Sequence, residues 1–241
     1  MLSLKIEKKA MKIMIQILLL CFIYNSPFIK TFYVSASTPA ENSYDKIILI
    51  DPGHGGMDGG AVSKNGAKEK DINLSISIKL RKVLENYGYI VIMTRDKDQG
   101  LYSDEKGSIS RRKYEDLNKR CILKRDSNCH MFISIHQNSF PESKYSGAQV
   151  WYSNSKQSEV LANILQENLR LDLNKENKRQ AKRSINDYKI LRCNPEIPSV
   201  IIECGFLTNR EEERKLKDES YQNIIAESIA NSVNQYFETE L

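Results

Sequence analysis

Lys46-Ile47-Ile48-Leu49-Ile50-Asp51-Pro52-Gly53 is the stretch on which the reading of this chain turns. Ile47 to Ile50 leave no polar face, so the run reads as a strand buried on both sides and ended by the Pro-Gly turn. A strand covered on both faces belongs in a largely parallel sheet flanked by helices. Working outward, apolar positions from Asp71 onward (Ile76, Leu80, Val83, Leu84, Tyr87) repeat at helical spacing. Gly88 ends that helix, where a glycine readily turns left-handed. Tyr89 to Met93 then reads as a second strand.

A polar loop from Asp96 to Gly107 leads into a charged helix from about Ser110 to Arg125. Met131–Ile135, Gly147–Tyr152, Tyr188–Leu191 and Ser199–Ile202 read as further strands, with a helix from about Ser158 to Leu171. Tyr221, Ile224, Ile225, Ile229, Val233, Tyr236 and Phe237 share one face of a final helix. Strands separated by helices of crossover length predict an α/β fold. The expectation is a single three-layer domain over residues 45–241, with a mostly parallel mixed sheet, helices on both faces and its reactive site at the strand carboxyl ends.

Residues 1–36 read differently. Lys5, Lys8, Lys9 and Lys12 precede an apolar run, Ile13 to Tyr24, broken only by Gln16, and Val34-Ser35-Ala36 offers small residues for cleavage. This is the pattern of a secretory signal peptide, with an uncleaved N-terminal anchor as the alternative. The run is shorter than the ~20 residues of an ordinary spanning helix, and Leu20 directly before Cys21 argues against a lipoprotein site. Residues 37–44 read as a linker. Export implies an extracytoplasmic location, with membrane contact only through the N-terminal segment.

With residues 1–36 set aside, the chain carries 31 basic and 30 acidic residues, which leaves no electrostatic case for nucleic acid. Cys121, Cys129, Cys193 and Cys204 form no C-x-x-C pair, so a zinc ribbon is not expected. Cys121 and Cys129 are too far apart along one helix to bond. Cys193 and Cys204 could pair outside the cell, with buried thiols as the alternative.

Of three histidines, His54 and His136 directly follow predicted strands, where open α/β sheets bind ligands. Glu69 precedes a helix over the same sheet edge, and Glu203 follows the strand Ser199–Ile202. Two imidazoles and a carboxylate make a three-ligand zinc set with a fourth position for water. Spacing alone leaves open that these are structural strand-end residues. Glu203 could likewise be a helix-start acid, although the apolar Cys204-Gly205-Phe206 would desolvate it and suit it to proton transfer. His130, before a strand, reads as a surface or structural residue. Lys175, Lys178, Arg179, Lys182 and Arg183 read as a solvated loop or as a basic rim that attracts substrate carboxylates.

Four ordered motifs carry a resemblance. Asp51-Pro52-Gly53-His54-Gly55-Gly56, Glu69-Lys70-Asp71-Ile72-Asn73-Leu74, Ser134-Ile135-His136-Gln137-Asn138 and Glu203-Cys204-Gly205-Phe206-Leu207-Thr208-Asn209 resemble the zinc-dependent N-acetylmuramoyl-L-alanine amidases, from about Lys46 to Phe237. The resemblance implies His54, Glu69 and His136 on one Zn2+ per chain, Glu203 as catalytic acid/base, and Asn138 as a substrate contact. It implies hydrolysis of the lactyl–L-alanine amide in peptidoglycan. Thr94-Arg95 and Leu117-x-x-Arg120 fit as scaffold residues held by ion pairs.

Gly107-Ser108-Ile109-Ser110-Arg111-Arg112-Lys113 and Ser146-Gly147-Ala148-Gln149 look like the germination-specific, spore-cortex (CwlD-type) branch. That branch implies pairing with a peptidoglycan deacetylase to make muramic δ-lactam, and leaves room for an accessory protein. Gln137 and Cys204 depart from the family's usual smaller or apolar residues. A zinc carboxypeptidase or endopeptidase of the stem peptide, or a non-catalytic wall-binding protein, are the competing readings.

Overall fold

The computed structural model describes residues 45–103 and 107–239; the expected signal segment and linker lie outside them. Side chains along the central strands alternate between two unlike faces, and this alternation positions the rest. β1 (Ile47–Pro52), β3 (Met131–Asn138) and β6 (Ser199–Phe206) run parallel and adjacent, with β2 (Ile90–Met93) parallel outside β1. β4 (Gln149–Tyr152) pairs antiparallel with β6, and β5 (Lys182–Arg183) closes a sheet of order β2-β1-β3-β6-β4-β5. The expected three-layer α/β arrangement, mostly parallel with helices on both faces, is the one observed.

Ile48, Ile50, Met131, Ile133, Val200 and Ile202 point one way and are fully buried. They pack in a core with α1 (Glu69–Asn86), α3 (Lys156–Leu173) and α6 (Glu219–Thr239). Each such side chain stabilises the fold by about 1.5–3 kcal/mol. The opposite face is thinner. Leu49, Phe132 and Ile201 meet Ile190 and Leu191 of the short helix α4 (Lys189–Arg192). By the same period of two, Asp51, Ser134, His136 and Glu203 continue that face toward the strand carboxyl ends.

α2 (Ile109–Asp126) covers this second face without burying a single apolar side chain; its buried residues are Arg120 and Lys124. Arg120 pairs with Asp51 and Asp116, and donates to the carbonyls of Pro52 at 3.0 Å and His54 at 2.7 Å. Lys124 donates to the carbonyls of Ile190 and Cys193. Arg95, expected in an ion pair, instead donates to the carbonyls of Pro52, Gly53 and Lys70.

Several expectations are corrected. Tyr188–Leu191 is not a strand but leads into the turn of α4; the partner of β4 is Lys182–Arg183, too short and polar to register as a strand. Glu69 begins α1 rather than preceding it, and β3 and β6 run on through His136 and Glu203. A short helix, α5 (Arg210–Leu216), follows β6. Ile224 is exposed. Cys193 bonds Cys121, not Cys204, with Cα atoms 5.9 Å apart. Cys204 sits in the core on the other face of the sheet, out of reach of Cys193. Among the described residues no helix is long and apolar enough to cross a membrane.

The Cys121–Cys193 bridge spans a sequence separation of 72 residues and ties α2 to α4. Closing a loop of that order restricts the unfolded chain and contributes about 2–4 kcal/mol. Reduction, or Cys193→Ser, should lower the urea midpoint accordingly; equal midpoints with and without reductant would deny the bridge a stabilising role.

Candidate metal centre

Gly53 follows β1 and stays against β3 through its N–H to the Ile135 carbonyl, 3.0 Å. A Cβ at this position would fall inside the His136 imidazole, so only glycine lets the two chains approach. His54 follows at φ 62°, a left-handed conformation uncommon outside glycine. Arg120 and Arg95 hold this turn by its carbonyls, which aims the His54 ring back over the sheet edge.

The His54 ring is tied at both nitrogens. Nδ1 lies 2.9 Å from Asp58 Oδ2, and Asp58 is in turn 2.9 Å from the Lys113 ammonium. Nδ1 donates to Asp58, and Nε2 lies 3.2 Å from Glu69 Oε1, where it donates when the ring is doubly protonated. His136 Nδ1 approaches that same oxygen at 2.9 Å. Glu69 also accepts from the Gln137 N–H at 3.0 Å and the Ala61 N–H at 2.8 Å. One carboxylate therefore gathers a turn, a helix start and a strand.

His54, Glu69 and His136 each offer one ligand atom, and these atoms lie within 4.8 Å of one another. Two imidazole nitrogens and a carboxylate oxygen at this spacing fit a zinc-type site, whose ligands stand about 2.0–2.2 Å from the ion. The charges fit too. Burial pushes His54 down, but hydrogen bonds to Asp58 and Glu69 outweigh it and lift the imidazole to about 9. Burial pushes Glu69 up, yet both imidazoles hold it well below the carboxylate range. The cluster thus favours positive charge at the point where a cation would sit.

Glu203 stands directly opposite His136 in the β3–β6 register. It is 7% exposed, and its buried Oε2 has no hydrogen-bond partner among the described residues. Burial is the largest effect and raises its pKa to about 7; Glu69 adds to the rise, while His136 and His54 oppose it. Glu69 and Glu203, both buried, are therefore shifted in opposite directions, Glu69 down by its hydrogen-bond partners and Glu203 up by burial.

Asn138 ends β3, and its amide oxygen accepts from the Ser139 N–H. No hydrogen bond links it to the other four among the described residues. His130 is exposed at the other end of β3, where Nδ1 accepts from the Ile47 N–H. In the basic stretch, Arg179 stacks over Phe206 at 4.6 Å and Lys182 over Trp151 at 5.4 Å. Sequence reasoning missed Asp58 and Lys113. The signal was an acid four residues after His54 in the glycine-rich Gly55-Gly56-Met57-Asp58-Gly59-Gly60 turn.

Residues 48–235 match the profile of the N-acetylmuramoyl-L-alanine amidases. The chain belongs to this family. A germination-specific N-acetylmuramoyl-L-alanine amidase of Bacillus subtilis is 42% identical over 195 residues, covering 80% of each chain. The solved CwlD amidase of Clostridioides difficile, in complex with the GerS lipoprotein, is 41% identical with a TM-score of 0.78, covering 81% of this chain and 100% of that one. A second Clostridium difficile amidase structure is 31% identical with a TM-score of 0.70, covering 83% of this chain and 100% of that one. The amidase domain thus occupies nearly all the described residues.

Replacing His54 or His136 with Ala should abolish zinc retention in dialysed protein. Asp58→Asn should keep the fold and weaken zinc about 10–100-fold, because the partner that orients a ligand histidine tunes its basicity. Chelator competition measures this, and an unchanged affinity would show that Asp58 does not orient the ligand.

Proposed function

We propose that this chain is a zinc-dependent hydrolase that cuts the amide between the lactyl group of N-acetylmuramic acid and L-alanine in peptidoglycan. The observation that carries this reading is the convergence of His54, Glu69 and His136 with a buried Glu203 of raised pKa on the adjacent strand. His54 Nε2, His136 Nδ1 and a Glu69 oxygen would hold one zinc. When bound, such an ion acidifies water and polarises a carbonyl.

The remaining steps fall to the chain's own residues. Glu203 takes a proton from the attacking water at its unpartnered oxygen. It then returns that proton to the departing alanine nitrogen, which leaves as an amine rather than an anion. Asp58 keeps the His54 proton on Nδ1 throughout, so Nε2 stays a ligand. Asn138, which ends the strand that carries His136, would hydrogen-bond the substrate.

Similarity to a germination-specific relative supports a role in spore-cortex maturation. There the stripped muramic acid would pass to a deacetylase that makes muramic δ-lactam. Residues 1–36 would export the enzyme as a cleaved signal or as an anchor, with residues 37–44 as a linker, and place it in the wall or cortex space. The lipoprotein complex of the solved relative supports an accessory partner here.

Glu203→Gln should fold, keep zinc and lose about 10²–10⁴-fold in turnover, the usual share of general acid–base catalysis. Mass spectrometry of muropeptides would read it, a new L-alanine amino terminus beside a lactyl acid marking the amidase cut. The base form of Glu203 exists above its pKa, so activity should fall as pH drops. A bound cation adds to the pull of the imidazoles, which sets that acid limb at or below about pH 7. A variant with near-normal turnover would remove Glu203 from the mechanism.

A further inference from the structure

A cavity of about 160 Å³ opens between α2 and the turn after β1, and the imidazoles of His54 and His136 form part of its wall. A substrate whose scissile amide sits at those imidazoles extends into this space or directly past it. Three acids border the cavity, and each is already engaged. Asp51 takes Arg120, Thr94 and Ser134; Asp58 takes Lys113 and His54; Asp116 takes Arg120 and the Leu101 N–H.

Arg112 is the cation left over. Its guanidinium stacks on Tyr102, 5.4 Å from the ring centroid, and forms no ion pair among the described residues. Its Nε is buried and has no hydrogen-bond partner there. A buried donor on a charged group without an acceptor is unfavourable, and native structures rarely leave one without a use. Tyr102, Met57 and Leu117 supply apolar wall around it, which lowers the local dielectric and strengthens any charge-assisted bond formed inside. The basic residues of the 175–183 stretch do not line this cavity; Lys182 and Arg183 form β5, at the far edge of the sheet from β1.

We propose that this cavity is a carboxylate subsite, in which Arg112 receives a free acidic group of the stem peptide while the amide lies at the metal centre. The inference rests on the amidase reading given above. A planar guanidinium matches a carboxylate with paired N–H donors, a geometry that lysine cannot reproduce. The stem peptide carries free carboxylates beyond the scissile amide. The other carboxylate this reaction presents is the lactyl acid it releases.

The test uses zinc-loaded full-length protein, two muropeptides that differ only in whether the stem carboxylates are free or amidated, and the Arg112→Gln and Arg112→Lys variants. Arg112→Gln should raise KM roughly ten- to a hundredfold on the free acid, with kcat nearly unchanged. The same variant should match wild type on the amidated substrate, and Arg112→Lys should recover part of the loss. Equal losses on both substrates, or none, would overturn the subsite.

A binding arm separates this inference from the amidase reading. Calorimetry on the Glu203→Gln protein, with and without Arg112→Gln, should show the same loss for free stem peptide. If Arg112 governs binding of N-acetylmuramic acid and not of the peptide, the stem-peptide assignment is wrong. Wild type that binds the peptide through Arg112 yet cleaves nothing would sink the amidase reading and keep the subsite.

Discussion

A carboxylate buried beneath the metal-binding turn organises this structure. Asp51 projects from β1 into the thin face of the sheet, where a lone charge would be intolerable. Burial alone would raise its pKa, yet Arg120 and the hydroxyls of Thr94 and Ser134 lower it instead. Those partners come from α2, the end of β2 and β3, so one charge draws three strand ends and a helix together. Breaking a buried pair by removing one partner typically costs about 3–5 kcal/mol, more than truncating most single apolar contacts at the surface. Because α2 buries no apolar side chain, this pair, the Lys124 contacts and the disulfide are what fix it to the sheet. Arg120 then uses its remaining donors on the Pro52 and His54 carbonyls. The position of His54 is inherited from an ion pair beneath it.

The site itself is a contest among charges, and the winners assign the roles. Glu69 is surrounded by donors (two imidazoles and two backbone N–H groups) and stays ionised despite being 4% exposed. Glu203 is scarcely more exposed but has an oxygen with no donor, and its proton affinity rises. Two carboxylates pushed apart in this way can serve as ligand and proton carrier without exchanging places. Burial is common to both; hydrogen bonding separates them.

The sequence disclosed the parts of this design that depend on local pattern. Ile47–Ile50 and Met131–Ile135 announced buried strands through unbroken apolar runs, and the two histidines were legible because each adjoined one. Four-residue runs were the weak point. Tyr188–Leu191 has the apolar density of a strand, yet it leads into a helical turn, since such a run cannot distinguish the two. Lys182–Arg183, two exposed basic residues, is too short a strand to leave a trace in the side-chain pattern. The Cys121–Cys193 bond and the Asp58–Lys113 contact link residues far apart in the chain, and no periodicity encodes such distances. The parity of β6 did hold the answer for Cys204: one residue after Glu203, it must face the other side of the sheet, away from Cys193.

That parity has a further consequence for how chemistry and selectivity are divided. Glu203, the proposed proton carrier, and His136, a proposed ligand, come from strands whose alternate residues are locked in the apolar core, so they cannot shift without disturbing burial worth many kcal/mol. Arg112 comes from a helix attached by polar contacts, and its side chain makes no ion pair among the described residues. Changing it breaks no ion pair among the described residues and loses only the stacking on Tyr102 that they show. The reactive centre is therefore held by the sheet, whereas the wall that meets the substrate belongs to an element whose outer positions can be altered at little cost to stability. Selectivity placed on α2 is separable from the metal site because Arg120 and Lys113, which tie the helix to the His54 turn, do not need Arg112; the contact the two share is Tyr102, which stacks on Arg112 and accepts from the Met57 N–H.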